Sequence, residues 1–154
     1  MPSPALPREI PGWDDYFLVI AQAVARRSKD PSTQHGAVVV CPEHSILGTG
    51  FNGPPPRFPD QELDWSRPAK YDVVRHAEIN ALSYARRHGR LQGCTLYVTG
   101  QVCPACMLDI CGEGIIRVVH GTRRARMMDE ESVRKSLWLA SLGGVIFQEL
   151  PGYD

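Results

Sequence analysis

The chain has 154 residues, 43% hydrophobic and 22% charged, and its 17 basic and 17 acidic side chains cancel to a formal net charge of zero. That size and mixture fit one ordinary globular core. The charge balance disfavours a polynucleotide binder, which would carry a basic excess, and no apolar run approaches the roughly 20 residues that span a bilayer.

Residues 1–12 open as "MPSPALPREIPG", proline-rich and without the apolar segment of a signal peptide, and are expected to form a flexible arm. Five cysteines, an odd number at irregular spacing, do not make a secreted disulfide framework, so a reduced, cytoplasmic protein is expected. "WDDYFLVIAQAVARRS" then sets Tyr16, Phe17, Ile20 and Val24 at helical spacing, with Asp14 and Asp15 at the N-terminal end. "DPST" breaks that helix, "GAVVVC" is a strand, and "PEH" turns into a second strand, "SILGTGFN".

Residues 53–75, "GPPPRFPDQELDWSRPAKYDVVR", carry five prolines and little periodicity. A loop of this length in a compact domain is usually functional or disordered. Phe58, Trp65 and Tyr71 offer apolar anchors, which predicts an ordered lid. From residue 76 the chain alternates: a helix over "HAEINALSYARRHG" capped by Gly89, a strand "CTLYVTG", a helix "CPACMLDICGEG" and a strand "IIRVVHG". An amphipathic helix "DEESVRKSLWLASLGG" and a last strand "VIFQEL" follow. Strand–helix alternation implies right-handed parallel crossovers covered by helices. The expected fold is α/β, a three-layer α/β/α sandwich around a mixed sheet of about five strands, with residues 13–154 as a single domain.

The chemistry centres on "VCPAC", the one Cys-x-x-Cys in the chain. Two thiolates supply half of a tetrahedral zinc site, and the rest must come from His35, His44, His76, His88, His120, Cys41, Cys94 or Cys111. His44 falls in a turn and His88 near a helix C-terminus; the three cysteines lie in or beside apolar runs, where cysteine acts as a small hydrophobe. His76 opens a helix, with Glu78 two residues on. In mid-helix such residues diverge, but in the first turn both reach a target beyond the helix end. Cys103 and Cys106 open another helix at i, i+3 spacing, on one face. Three protein ligands leave the fourth zinc position to water, the arrangement of a catalytic site, and Glu78 beside that water suits general acid–base work. The competing readings are a structural zinc and a redox Cys-x-x-Cys.

His-x-Glu followed by Cys-x-x-Cys is the known signature of zinc deaminases. The sequence resembles the cytidine and deoxycytidylate deaminase superfamily, and within it the deoxycytidylate (dCMP) deaminases over nearly the whole chain. The stretches that carry the resemblance are "WDDYFLVIAQAVARRSKDPST", "GAVVV", "GTGFNGPP", "KYDVVRHAEINAL", "CTLYVT" and "GIIRVVHG". It implies a cytidine deaminase-like fold, one Zn2+ per chain on His76, Cys103 and Cys106, and Glu78 as the proton shuttle. It also implies that Asn52 contacts the nucleoside sugar. Effector contacts are implied at Arg87, Phe51 and Gly53, with activation by dCTP, accompanied by Mg2+, and inhibition by dTTP. A homo-oligomer, with a hexamer favoured, is implied as well. Residues 53–75 hold no Cys or His, so the second zinc that some members carry there is not expected. Val102 stands where the family usually has proline, which puts base selectivity and tolerance at C5 in question, and the family's Val-Gly-Ala reads His35-Gly36-Ala37.

The expected reaction is hydrolysis of dCMP to dUMP and ammonia, supplying a thymidylate precursor. The 5′-phosphate requires donors; Arg26 and Lys29, with Arg27, lead the candidates, and Arg57, Arg67 and Lys70 stand in reserve. The alternatives are deamination of another base (a 5-substituted dCMP, guanine or a tRNA adenosine) and a non-catalytic zinc-stabilised binding module.

Overall fold

The computed structural model describes residue 1, residues 8–123 and residues 128–153. Residues 2–7, half of the expected arm, lie outside the described residues. The elements run α1 (Trp13–Ala25), β1 (Gly36–Val40), β2 (Ile46–Phe51), α2 (Ala77–Ala85), β3 (Thr95–Gly100), α3 (Pro104–Gly112), β4 (Arg117–Arg123), α4 (Glu130–Leu142) and β5 (Ile146–Glu149). Short 3-10 turns at Asp60–Glu62 and Ala69–Asp72 punctuate the long loop between β2 and α2.

The five strands form one mixed sheet in the order β2-β1-β3-β4-β5. β1 pairs antiparallel with both β2 and β3, whereas β3–β4 and β4–β5 are parallel. Each parallel step is bridged by a helix, α3 and then α4, as parallel pairing demands. β1 is buried throughout as the unbroken apolar run "GAVVV", the pattern of a strand covered on both faces.

Strand alternation sorts the core into two halves. Val38, Val40, Tyr97 and Val119 face α1 and pack on Phe17, Leu18 and Ala21. Ala37, Val39, Leu96, Val98 and Val118 face the other way, onto α2 and α3. The three-layer α/β/α sandwich expected from the sequence is therefore present. Glycines let the layers close: a Cβ on Gly36 would stand 2.1 Å from the Ala21 carbonyl oxygen, and one on Gly50 would stand 2.2 Å from the Ala81 nitrogen. α2 consequently lies directly on β2.

Two local expectations, at Gly89 and in the long loop, are corrected. Gly89 does not cap α2. The helix ends at Ala85, closed by i→i−3 bonds from Arg87 N–H to Tyr84 and from His88 N–H to Ala85, a tightened last turn. α4 packs inward through Ser136 and Ala140, one turn apart, with Leu139 partly buried beside them, while Leu137, Trp138 and Leu142 are exposed. Ser136 Oγ donates to the Val102 carbonyl at 2.7 Å, so a small polar residue sets how closely α4 docks. Finally, Phe58 and Tyr71 do not anchor the long loop, being 43% and 46% exposed. The loop is ordered instead by a Gly53–Arg75 bridge and by Lys70, which is buried against Asp30.

Candidate active site

Two helix N-termini meet at the end of β3. His76 is the N-cap of α2 and Cys103 the N-cap of α3, both with extended backbone. Pro104 occupies the first turn of α3, where its missing N–H costs nothing. Because His76 is outside the helix proper, the rule that residues two apart diverge does not bind it. Its ring and the Glu78 side chain both line one cavity. Cys103 Sγ accepts from the Cys106 N–H at 3.5 Å, which turns both sulfurs toward the histidine.

His76 Nδ1 lies 3.5 Å from Cys103 Sγ and 3.3 Å from Cys106 Sγ, and all three donor atoms fall within 4.8 Å of one another. Tetrahedral zinc, with about 2.3 Å to sulfur and 2.0–2.1 Å to nitrogen, separates such donors by about 3.6 Å. Both nitrogen–sulfur separations therefore fit zinc to within a few tenths of an ångström. Glu78 stands outside this donor set.

Electrostatics fit the same reading. The Cys103 thiol is brought down to about 4, first by a hydrogen bond from the Cys106 thiol and then by His76, with burial opposing. Its thiolate in turn holds the His76 imidazolium up to about 9, with the Glu78 charge helping and burial opposing. Cys106 is pushed up, by its bond to Cys103 and by burial. Glu78 is only 5% exposed, and burial raises its carboxyl above the usual range while the His76 charge pulls the other way. A carboxyl raised in this manner is suited to both taking and giving a proton near neutral pH.

The cavity in front of the trio has a volume of about 400 Å³, the size class of a small-ligand site. Asn52, Arg67, Lys70 and Gln101 also line it. Asn52 is held to the backbone at both ends of its amide: Oδ1 accepts from His35 N–H at 2.7 Å, and Nδ2 donates to the Thr33 carbonyl at 2.8 Å. Arg26 and Lys29 do not line this cavity. Arg26 is exposed at the end of α1, and Lys29 is paired with Asp60. Phe51 and Gly53 sit beside α2, where Asn80 Nδ2 donates to the Phe51 carbonyl at 2.8 Å. Arg87 lies beyond the opposite end of α2, over the Tyr84 ring.

His35 lines the cavity, with Nδ1 3.1 Å from Thr99 Oγ1. His44 lies in a turn stacked on Trp13, and His120 is buried with its ring on Phe147. The Val102 side chain is fully buried in the core, and it is Gln101, one residue earlier, that faces the cavity. A second cavity, about 440 Å³, opens at the other end of β3; its Asp14 and Arg117 are satisfied by each other.

Sequence reasoning overlooked Asp30, Thr33 and Gln101 and kept Arg67 and Lys70 only in reserve. "DPST" does carry a signal, since Asp followed by Ser two residues on favours a side-chain-to-backbone turn. Nothing local marks Lys70 as buried.

A three-layer α/β/α fold with a His/Cys/Cys trio at paired helix N-termini is the architecture of a zinc-binding deaminase domain. The family profile described as "Cytidine and deoxycytidylate deaminase zinc-binding region" matches residues 11–122, and this chain belongs to that family. It is 36% identical over 149 residues to a deoxycytidylate deaminase of Mus musculus, covering 92% of this chain and 82% of the relative. It is 43% identical over 123 residues to a deoxycytidylate deaminase of Mycobacterium phage D29, covering 71% and 94%. A dCMP deaminase from the cyanophage S-TIM5, solved in complex with dCMP and dUMP, is similar in structure. The TM-score is 0.74 at 26% identity, over 93% of this chain and all of that one.

Proposed function

We propose that this chain catalyses the hydrolytic deamination of dCMP to dUMP and ammonia. The observation that carries the proposal is the buried Glu78 carboxyl, which shares one cavity with a His/Cys/Cys trio of zinc dimensions without belonging to it. Zinc bound by His76, Cys103 and Cys106 supplies a Lewis acid and lowers the pKa of water toward 7. Glu78 takes the proton of the water that attacks C4 of the base and delivers it to N3. It then takes the proton of the hydroxyl added at C4 and passes it to the C4 amine, which leaves as ammonia while the C4 carbonyl forms. Burial raises the carboxyl above its usual range, which favours both transfers.

The choice of dCMP is supported by the named relatives and by the Arg67 guanidinium in the cavity lining. Arg67 is proposed to meet the 5′-phosphate, in preference to Arg26 and Lys29, and Asn52 to face the sugar. Residues 13–154 are taken as one deaminase domain, with 53–75 as its lid. The family resemblance supports a homo-oligomer, a hexamer favoured, and regulation by dCTP with Mg2+ and by dTTP through Phe51, Gly53 and Arg87. It also supports a cytoplasmic enzyme of pyrimidine metabolism. Among the described residues no helix is long and apolar enough to cross a membrane.

The test is ammonia release by the purified zinc protein from dCMP, 5-methyl-dCMP, deoxycytidine, dCTP, guanine and tRNA, with and without dCTP–Mg2+ or dTTP. Turnover confined to dCMP is expected. Activity on another base, with none on dCMP, would move the substrate and point to Gln101.

A further inference from the structure

We propose that the buried Lys70–Asp30 pair is a positioning device that sets the preference for a phosphorylated over an unphosphorylated substrate by fixing Arg67 in the cavity wall. The inference rests on reading that cavity as the dCMP site.

Lys70 and Asp30 are each 3% exposed and stand 40 residues apart in the chain, one in the lid loop and one in the turn after α1. Lys70 Nζ donates to Asp30 Oδ1 at 2.9 Å, to Asp30 Oδ2 at 2.7 Å and to Ser32 Oγ at 2.7 Å. An ammonium has three N–H donors, so all of them are spent. Lys70 lines the cavity but has nothing left to give an anion there, and its charge is cancelled by Asp30.

Asp30 is bound in its turn. Oδ1 also accepts from Ser32 N–H at 2.9 Å and Thr33 N–H at 3.2 Å. The pair thereby fixes the backbone at Thr33, and Thr33 Oγ1 accepts from Arg67 Nη2 at 3.2 Å. Among the described residues Arg67 Nε is buried with no hydrogen-bond partner. A buried, unpaired N–H is costly, and a planar guanidinium with donors to spare suits the oxygens of a phosphate. Arg67 is thus the cavity-lining arginine with an unmet donor, and the turn that aims it is held by Lys70 and Asp30. Stability alone is a poor reason to bury such a pair, because desolvation offsets its attraction and neutral packing often does as well.

The test compares the wild-type enzyme, Lys70→Met, the double variant Lys70→Met/Asp30→Asn, and Thr33→Val. The readouts are kcat and KM for dCMP and for deoxycytidine, zinc content, and Tm. Lys70→Met strands a buried carboxylate and should lower Tm. The neutral double variant should recover Tm but keep a reduced dCMP-to-deoxycytidine ratio of kcat/KM. The expected fall is about tenfold or more, carried mainly by KM for dCMP, the size of a misaligned charge-assisted hydrogen bond. Thr33→Val, at a half-buried position, should lower the same ratio with Tm and zinc content unchanged, and decides the matter alone if the double variant does not fold. A double variant that recovers the wild-type ratio along with Tm, or a Thr33→Val enzyme with the wild-type ratio, overturns the inference. A wild-type enzyme that ignores dCMP overturns the functional reading, and this inference with it.

Discussion

Replacing Gly50 by alanine should damage catalysis from the far side of the catalytic helix. The added Cβ would stand 2.2 Å from the Ala81 nitrogen and 2.5 Å from the Ala77 carbonyl oxygen, whereas ordinary contact begins at 3.4 Å. Both are backbone atoms of α2, so no side-chain rotation relieves the clash, and the helix must retreat by about 1.2 Å from β2. Overpacking of this kind costs about 1–3 kcal/mol, or roughly 2–4 °C in Tm for each kcal/mol in a chain of this size. The larger effect is on chemistry, because His76 caps α2 and Glu78 lies in its first turn. A misplacement of about 1 Å in a reacting group lowers rate by about 100-fold. The assay is kcat on dCMP at saturating zinc, with metal content and Tm measured on the same preparation. A Gly50→Ala enzyme with wild-type kcat and Tm would refute the argument that close contact with β2 positions the site.

Glu78→Gln should keep its zinc but lose turnover by about 10² to 10⁴, the usual worth of a general acid–base group; substantial residual activity in metal-replete protein would dismiss that role. In the metal-free protein at pH 7, His76 is protonated, Cys103 is a thiolate and Cys106 a thiol. Zinc binding should therefore release one proton from His76 and one from Cys106, and calorimetry in buffers of different protonation enthalpy that finds no release would contradict this. Asp14 is held below the usual carboxylate range, chiefly by its bond from Arg117 and also by one from Tyr97, with burial opposing. Because the folded value is the lower one, its contribution is complete above about 3.9, the unfolded value, and is lost as pH falls through the depressed one. The stability gap between wild type and Asp14→Asn should accordingly narrow as urea unfolding is moved from neutral to strongly acid pH; a gap that stays constant would show that the pair adds nothing.

That His76, Cys103 and Cys106 come together, with Glu78 in the same cavity, was legible because the information is local: each cluster lies within four residues at a helix start, where capping geometry dictates direction. Sheet and layers were legible for a similar reason, since unbroken runs such as "GAVVV" announce strands buried on both faces. What failed depends on distant partners. Lys70 has the sequence character of a surface residue, and only Asp30, arriving from 40 residues away, permits its burial. The inward face of α4 is likewise set by a neighbour, since close approach to α3 selects the small Ser136 and Ala140 and leaves Leu137 and Trp138 exposed. Gln101 carries no local mark of its place in the cavity wall, and the missing proline points instead to Val102, whose side chain turns into the core.

The most direct test of the account is to incubate the zinc-loaded protein with dCMP in ¹⁸O-enriched water and weigh the product. Glu78-assisted hydrolysis at C4 predicts dUMP carrying one heavy oxygen at C4, formed with one equivalent of ammonia. Intact dCMP, or dUMP without the label, would contradict the account.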